Sequence, residues 1–147
     1  MKPEKMWQLF NEAYDVEEDA EYCAWHFSND EASANKLADL VLQGVKRATA
    51  SCLWVYEEED APVPRKGDYS VITDWNGNAL CIVQNLSVSI VPYGEVDEAF
   101  AATEGEGDGS LAYWRQVHEP FFRENCERMD MDFDEDMPVV CEVFEVV

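Results

Sequence analysis

LADLVLQGVKRATAS, residues 37 to 51, holds the transition on which the fold turns. Leu37, Leu40 and Val41 recur at helical spacing, and Ser28, Asn29 or Asp30 supplies a cap for the helix start. Gly44 follows the last periodic residue, where a left-handed position closes a helix. Beyond it the composition turns to small and β-branched residues, and TASCLWVY (49–56) reads as a strand. Lys46 and Arg47 sit between the two patterns. The chain has 10 Lys and Arg against 32 Asp and Glu, so two adjacent cations at one junction ask for a reason. A helix C-terminus attracts positive charge through its dipole. The alternative is that Lys46 and Thr49 face a substrate.

Outward from this junction the elements are short and varied. Toward the N-terminus, PEKMWQLFNEAY (3–14) places Met6, Leu9, Phe10 and Ala13 on one helical face. The acidic DVEEDAEY (15–22) reads as the exposed end of that helix or a loop, so a helix over roughly residues 4–24 is expected as an extension. Toward the C-terminus, EEEDAPVPRKGD (57–68) is a polar loop with two prolines. DYSVITDW (68–75) and ALCIVQNLSVSIVPY (79–93) flank NGN, a hairpin-turn signal, and the second strand is long enough to bulge at Asn85. EVDEAFAATEGEGDG (95–109) reads as a short helix entering a glycine-rich loop. SLAYWRQVHEPFFREN (110–125) brings Leu111, Trp114, Val117, Phe121 and Phe122 near one face, with Asp108 or Ser110 as cap and Pro120 as a kink or break. MPVVCEVFEVV (137–147) closes the chain as a strand with Val140, Glu142, Phe144 and Val146 on one face. The order implies an α+β fold built on a small, mostly antiparallel curved sheet.

Composition narrows the partners. At 147 residues and a formal charge of −22, the chain fits one domain, 1–147, with an ordinary core. Nucleic-acid affinity draws on Lys and Arg that displace counterions from phosphates, so a long polyanion is repelled unless the few cations converge. Lys46, Arg47, Arg65, Lys66 and Arg115 would have to share one surface. Five scattered cysteines with no CxxC pair suit reduced thiols and a cytoplasmic setting. Only His26 and His118 are available, without paired ligand spacing, so no metal and no cofactor is expected. No long apolar run or charged-then-apolar leader is present, so neither a membrane span nor a signal peptide is expected. The oligomeric state is left open, a homodimer among the options.

Four segments taken in order, LADLVLQGVKRATAS, RKGDYSVITDWNGNALCIV, EGEGDGSLAYWRQVH and EDMPVVCEVFEVV, resemble the ASCH domain family, in particular its larger bacterial subfamily. That family is a branch of the PUA-like β-barrels. Gly44, Lys46 and Thr49 match its G-x-K-x-x-T-x-R pattern, and Ser51 stands where the pattern has arginine. The similarity runs from about Trp25 to the C-terminus. It implies a closed or nearly closed barrel with flanking helices and a cleft beside the junction. It also implies one of several activities: RNA binding, ribonuclease action, or hydrolysis of the N4-acetyl amide of acetylated cytidine nucleosides by a Lys, a Thr and a Glu.

For amide hydrolysis the resemblance names Lys46, Thr49 and a glutamate of EGEGDGS, Glu106 being preferred over Glu104. Thr49 is then the nucleophile or the residue that positions a water. Lys46 acts as a base only if it is neutral part of the time, which the many carboxylates oppose; kept charged, it stabilises an oxyanion. Around them, Gly44, Arg47, Ser51, Glu104, Ser110, Tyr113 and Trp114 are candidates for contact with substrate. Each has a plainer role: Ser110 caps a helix, and Trp114 and Trp54 at their spacing fill the core. The expected partner is a nucleoside-like small molecule, with single-stranded RNA as the alternative. Glycines either side of Glu106 are expected to let its backbone approach a ligand.

Overall fold

The computed structural model describes residues 1–17 and 19–147. In chain order the elements are α1 (Pro3–Tyr14), β1 (Tyr22–Trp25), α2 (Glu31–Leu42), β2 (Ala48–Cys52) and α3 (Leu53–Glu58). β3 (Tyr69–Thr73), β4 (Ala79–Pro92), α4 (Glu98–Glu104), α5 (Leu111–Arg128) and β5 (Pro138–Val146) follow. The five strands form one mixed sheet in the order β1-β3-β4-β5-β2. β1 runs parallel to β3 and the other pairs are antiparallel.

The fold is α+β as expected, but the barrel does not close. β1 and β2 remain the two edges, and no ladder joins them. β1 is four residues long, and residues from all five strands line a cavity of about 410 Å³.

Local chemistry explains the elements that sequence anticipated. Asp30 caps α2, its side chain accepting from Ser33 N. At the other end Gly44 N donates to Val41 O and Val45 N to Leu40 O, the paired bonds of a Schellman closure. The β3–β4 turn is held by Asp74, whose carboxylate accepts from Asn76 N, Asn78 N and Asn78 Nδ2. β4 shifts register against β5 between Asn85 and Ser87, the expected bulge.

Other readings are corrected. α1 stops at Tyr14 on a left-handed Asp15, and Tyr22–Trp25 is a strand rather than the tail of a helix. Trp7 is the buried residue of α1, while Leu9 and Ala13 are exposed. Trp7 packs with Met6 and Phe10 against Val71, Ala79 and Ile82 of β3 and β4. Strand-forming residues 53–56 are helical in α3, where Trp54 and Val55 pack onto the main core; packing overrides their local preference. α5 runs through Pro120 without dividing, so the missing N–H removes one hydrogen bond and not the helix. Trp114 and Phe122 are buried on its core face as expected, but Val117 and Phe121, assigned to the same face, are 40% and 39% exposed, and His118 is buried instead. β5 does not alternate: Val139, Val140, Cys141 and Glu142 are all buried because β5 lies inside the sheet with both faces covered.

Candidate functional site

Lys46 is 2% exposed, and its position follows from the closure of α2. Lys46 N, like Val45 N, donates to Leu40 O, so the Schellman turn fixes the backbone one residue before the side chain departs. The junction then docks on the end of α4 through Arg47 N, which donates to Thr103 O at 2.9 Å. This approach requires glycine at 105. A Cβ there would stand 2.3 Å from Val45 O, and its φ of +69° already disfavours other residues. Gly107 likewise receives the ring of Tyr113. The glycines flanking Glu106 therefore admit parts of the chain itself, rather than a ligand as expected.

Docking brings residues 46 and 104 together. Lys46 Nζ donates to Glu104 Oε2 at 2.9 Å and to Ala48 O at 2.8 Å, and it lies 5.1 Å from the centre of the Phe27 ring. Glu104 is 1% exposed, and its other oxygen, Oε1, accepts from Trp114 Nε1 at 2.9 Å. His118 completes the group. Its ring stacks on Trp114 at 4.2 Å and 11°, and its Nε2 lies 3.3 Å from Glu104 Oε1 and 3.8 Å from Glu106 Oε2. Nδ1 donates to Trp114 O at 2.8 Å, because a carbonyl only accepts. With Nδ1 carrying a proton, Nε2 faces two carboxyl groups, so a proton must be shared there.

The electrostatics separate the two acids. Burial alone would raise the Glu104 carboxyl, but the Lys46 charge and the His118 hydrogen bond outweigh it and hold Glu104 well below the ordinary value. Burial raises Glu106 to about 7; Lys46 opposes the rise, and the charge and hydrogen bond of Glu104 reinforce it. Burial lowers the His118 imidazole, while the hydrogen bond to Glu104 and the charges of both glutamates raise it by more, so its net shift is upward. Glu104 is a fixed anion. Glu106 is the acid that exchanges a proton near neutrality, and His118 holds its proton more strongly than a free imidazole.

These residues open on a cavity of about 310 Å³ between α2, α5 and the junction. Phe27, Leu37, Val117 and Phe121 give it apolar walls, and Lys46, Thr49, Glu104, Glu106 and His118 give it polar ones. Glu106 Oε2 has no hydrogen-bond partner although it is buried. The ligand atoms of Glu104, Glu106 and His118 lie within 4.8 Å of one another, close enough to hold a metal ion. Lys46 Nζ and Trp114 Nε1 already engage the two Glu104 oxygens, so the cluster is balanced by a protein cation.

The other candidate residues are dispersed. Thr49 lines this cavity but makes no hydrogen bond to Lys46; it pairs with Glu142 across the β2–β5 ladder and also lines the larger cavity. Ser51 lines only the larger one, its hydroxyl sharing a 2.9 Å hydrogen bond with Tyr56. Ser110 caps α5 by accepting from Tyr113 N, Trp114 is 2% exposed in the core, and Gly44 and Arg47 are exposed at the helix end. The five cations that an RNA surface needs do not gather at this cavity: Arg65 lines the larger cavity and Arg115 donates to Gly94 O. His118 was missed in the sequence. The signal for it was its place four residues after Trp114, on the same helical face.

A family model described as "ASCH domain" matches residues 23–147. The crystal structure of an ASCH domain from Lactobacillus crispatus JV V101 is 40% identical, with a TM-score of 0.86 over 97% of this chain and 94% of that one. A protein from Enterococcus faecalis V583 is 34% identical, with a TM-score of 0.88 over 98% of this chain and 86% of that one. A hypothetical protein at 15% identity and a TM-score of 0.58, over 86% of this chain and 100% of that one, shares the fold alone. No curated protein matches the chain. No helix is long and apolar enough to cross a membrane among the described residues.

Proposed function

Because the chain belongs to the ASCH domain family, we propose that it hydrolyses a small amide, such as the acetyl amide of an N4-acetylated cytidine nucleoside, in the cavity beside Lys46. The observation that carries this reading is Glu106: a buried carboxyl raised to about 7, with an unpartnered oxygen, in the same cavity as a buried lysine. A general base works best when its pKa lies near the operating pH. Glu106 takes a proton from water as the water oxygen bonds to the amide carbon. Lys46, held by Glu104 and Ala48 O, stabilises the resulting oxyanion. The proton then passes to the leaving nitrogen as the C–N bond breaks, giving a carboxylic acid and an amine. His118 hydrogen-bonds within the carboxyl pair and sets which of the two acids holds the proton. Thr49, on the cavity wall, orients the water or the substrate. Four buried thiols suit a reducing compartment, and we place the reaction in the cytoplasm.

The test is turnover of N4-acetylcytidine. Glu106→Gln keeps the Lys46–Glu104 pair intact and should lower kcat by roughly 100-fold or more; Lys46→Ala and Thr49→Ala should also lose turnover. Wild-type activity should rise as pH climbs through about 7, where Glu106 becomes the base. An inactive wild-type protein, or full activity in both Lys46→Ala and Thr49→Ala, overturns the reading.

A second reading is supported by the family's association with RNA binding: single-stranded RNA bound, or cut, at the same cavity. The net charge of −22 and the two glutamates beside Lys46 oppose it. RNA affinity that falls steeply with added salt would favour it; no binding at low salt would remove it.

A further inference from the structure

The larger cavity shares Thr49 with the first and holds a carboxyl group that no cationic side chain pairs with among the described residues. Glu142 of β5 lines it and is 7% exposed. Its Oε1 accepts from Asn85 Nδ2 at 3.1 Å, and no described residue donates to Oε2. No cation reaches it. Burial raises the Glu142 carboxyl above its ordinary value, the Asn85 hydrogen bond opposes the rise, and the charge of a second acid on the cavity wall, Asp68, adds to it. A carboxyl group in such surroundings either keeps a proton or is stabilised as the anion by a cation beside it, and Oε2 is open to the cavity for that contact. Four aromatic rings, Tyr22, Trp25, Tyr56 and Tyr69, line the same space. Ring faces attract cations, and more so when desolvated.

Ser51 explains the vacant position. It lies two residues from Thr49 along β2, and Thr49 is the cross-strand partner of Glu142, so all three project to one face of the sheet. A long side chain at 51 would enter the cavity on the face that carries Glu142. Serine is too short, and its hydroxyl is turned to Tyr56. The remaining cation on the wall, Arg65, is an exposed residue of the rim.

We propose that this cavity binds a small organic cation, an amine or amidinium carried on a flat apolar body, with the Glu142 carboxylate as its counter-ion and the four aromatic rings as its walls. The ligand's N–H donors meet Glu142 Oε2, and its charge takes the place of the side chain that Ser51 lacks. The acidic surface of the chain draws such ligands in. Nothing in this assignment depends on hydrolysis in the Lys46 cavity.

Titration calorimetry at about 0.15 M salt, which screens diffuse attraction to the acidic surface, tests it with two matched pairs: benzamidine against benzamide, and tyramine against 4-ethylphenol. At least one cation should bind the wild-type protein tenfold or more tightly than its neutral partner. Glu142→Gln should remove that preference, and Ser51→Arg should abolish binding by filling the site. Circular dichroism establishes that each variant is folded; should Glu142→Gln unfold, Ser51→Arg decides. The proposal is overturned if neither cation binds, if the neutral partners bind equally well, or if the preference persists in the folded variants. Persistence would mark general attraction to an acidic surface, and equal binding a site for neutral heterocycles.

Discussion

Lys46 lies beside two glutamates whose carboxyl groups are shifted in opposite directions. Glu104 anchors it and Glu106 stands beside it with a movable proton. The anchoring pair is 2% exposed at most, so removing one partner strands the other charge in the core. Lys46→Met should therefore lower stability by about 3–5 kcal/mol, and Lys46→Met with Glu104→Gln should recover most of that loss. Urea denaturation of the two single variants and the double variant measures the coupling. Independent, additive losses would show that the pair contributes little. The sequence exposed Lys46, Thr49 and the two glutamates as candidates, but not which glutamate pairs with the lysine. In the sequence, neighbouring glycines favour Glu106 over Glu104 as the acid; the proposed mechanism adds that Glu104 is paired with Lys46 while burial raises Glu106 to about 7.

Elements were legible where the signal was local. The α2 cap and closure, the Asp74 turn and the bulge in β4 all follow from residues within a few positions of one another. α3 and β1 were not, because their states depend on distant partners: the core that receives Trp54, and the β3 edge that pairs with Tyr22–Trp25. The contact between α4 and the junction is another long-range fact written in one residue. Gly105→Ala forces a Cβ against Val45 O at a positive φ. The change should cost about 2–4 kcal/mol and move Glu104 away from Lys46. Thermal denaturation together with amidase turnover checks both effects, and a variant as stable as wild type would show that the junction can withdraw from α4.

At the scale of the whole molecule, the three shifted groups around Lys46 give stability a pH dependence. Glu106 is raised from an ordinary 4.5 to about 7, so between those values the native state holds a proton that the unfolded chain releases, and stability falls as pH rises. His118, raised from 6.5, adds stability that is fully present below that value and is lost as pH climbs through its native pKa. Glu104, lowered, contributes in the other sense: its stabilisation is present above the ordinary carboxylate value and is lost in acid. The melting temperature should peak at mildly acidic pH and drop by a few degrees toward pH 8. Glu106→Gln should flatten the part of that slope between about 5 and 7. A slope identical in the variant would assign it to general repulsion among the acids.

The sequence by itself determined the α+β class, the turns and caps, the family pattern at Gly44, Lys46 and Thr49, and an acidity that disfavours long polyanions. Those are properties of neighbouring residues and of composition. Tertiary structure alone decided that the sheet stays open, that His118 joins the two glutamates, and that Thr49 lies on the boundary of two cavities. It also decided that Glu142 is buried with no cationic side chain paired to it among the described residues. Each depends on distances between residues far apart in the chain, such as the 58 positions between Lys46 and Glu104. Burial then sets the charge of each group, and periodicity along the chain does not report burial when both faces of a strand are covered.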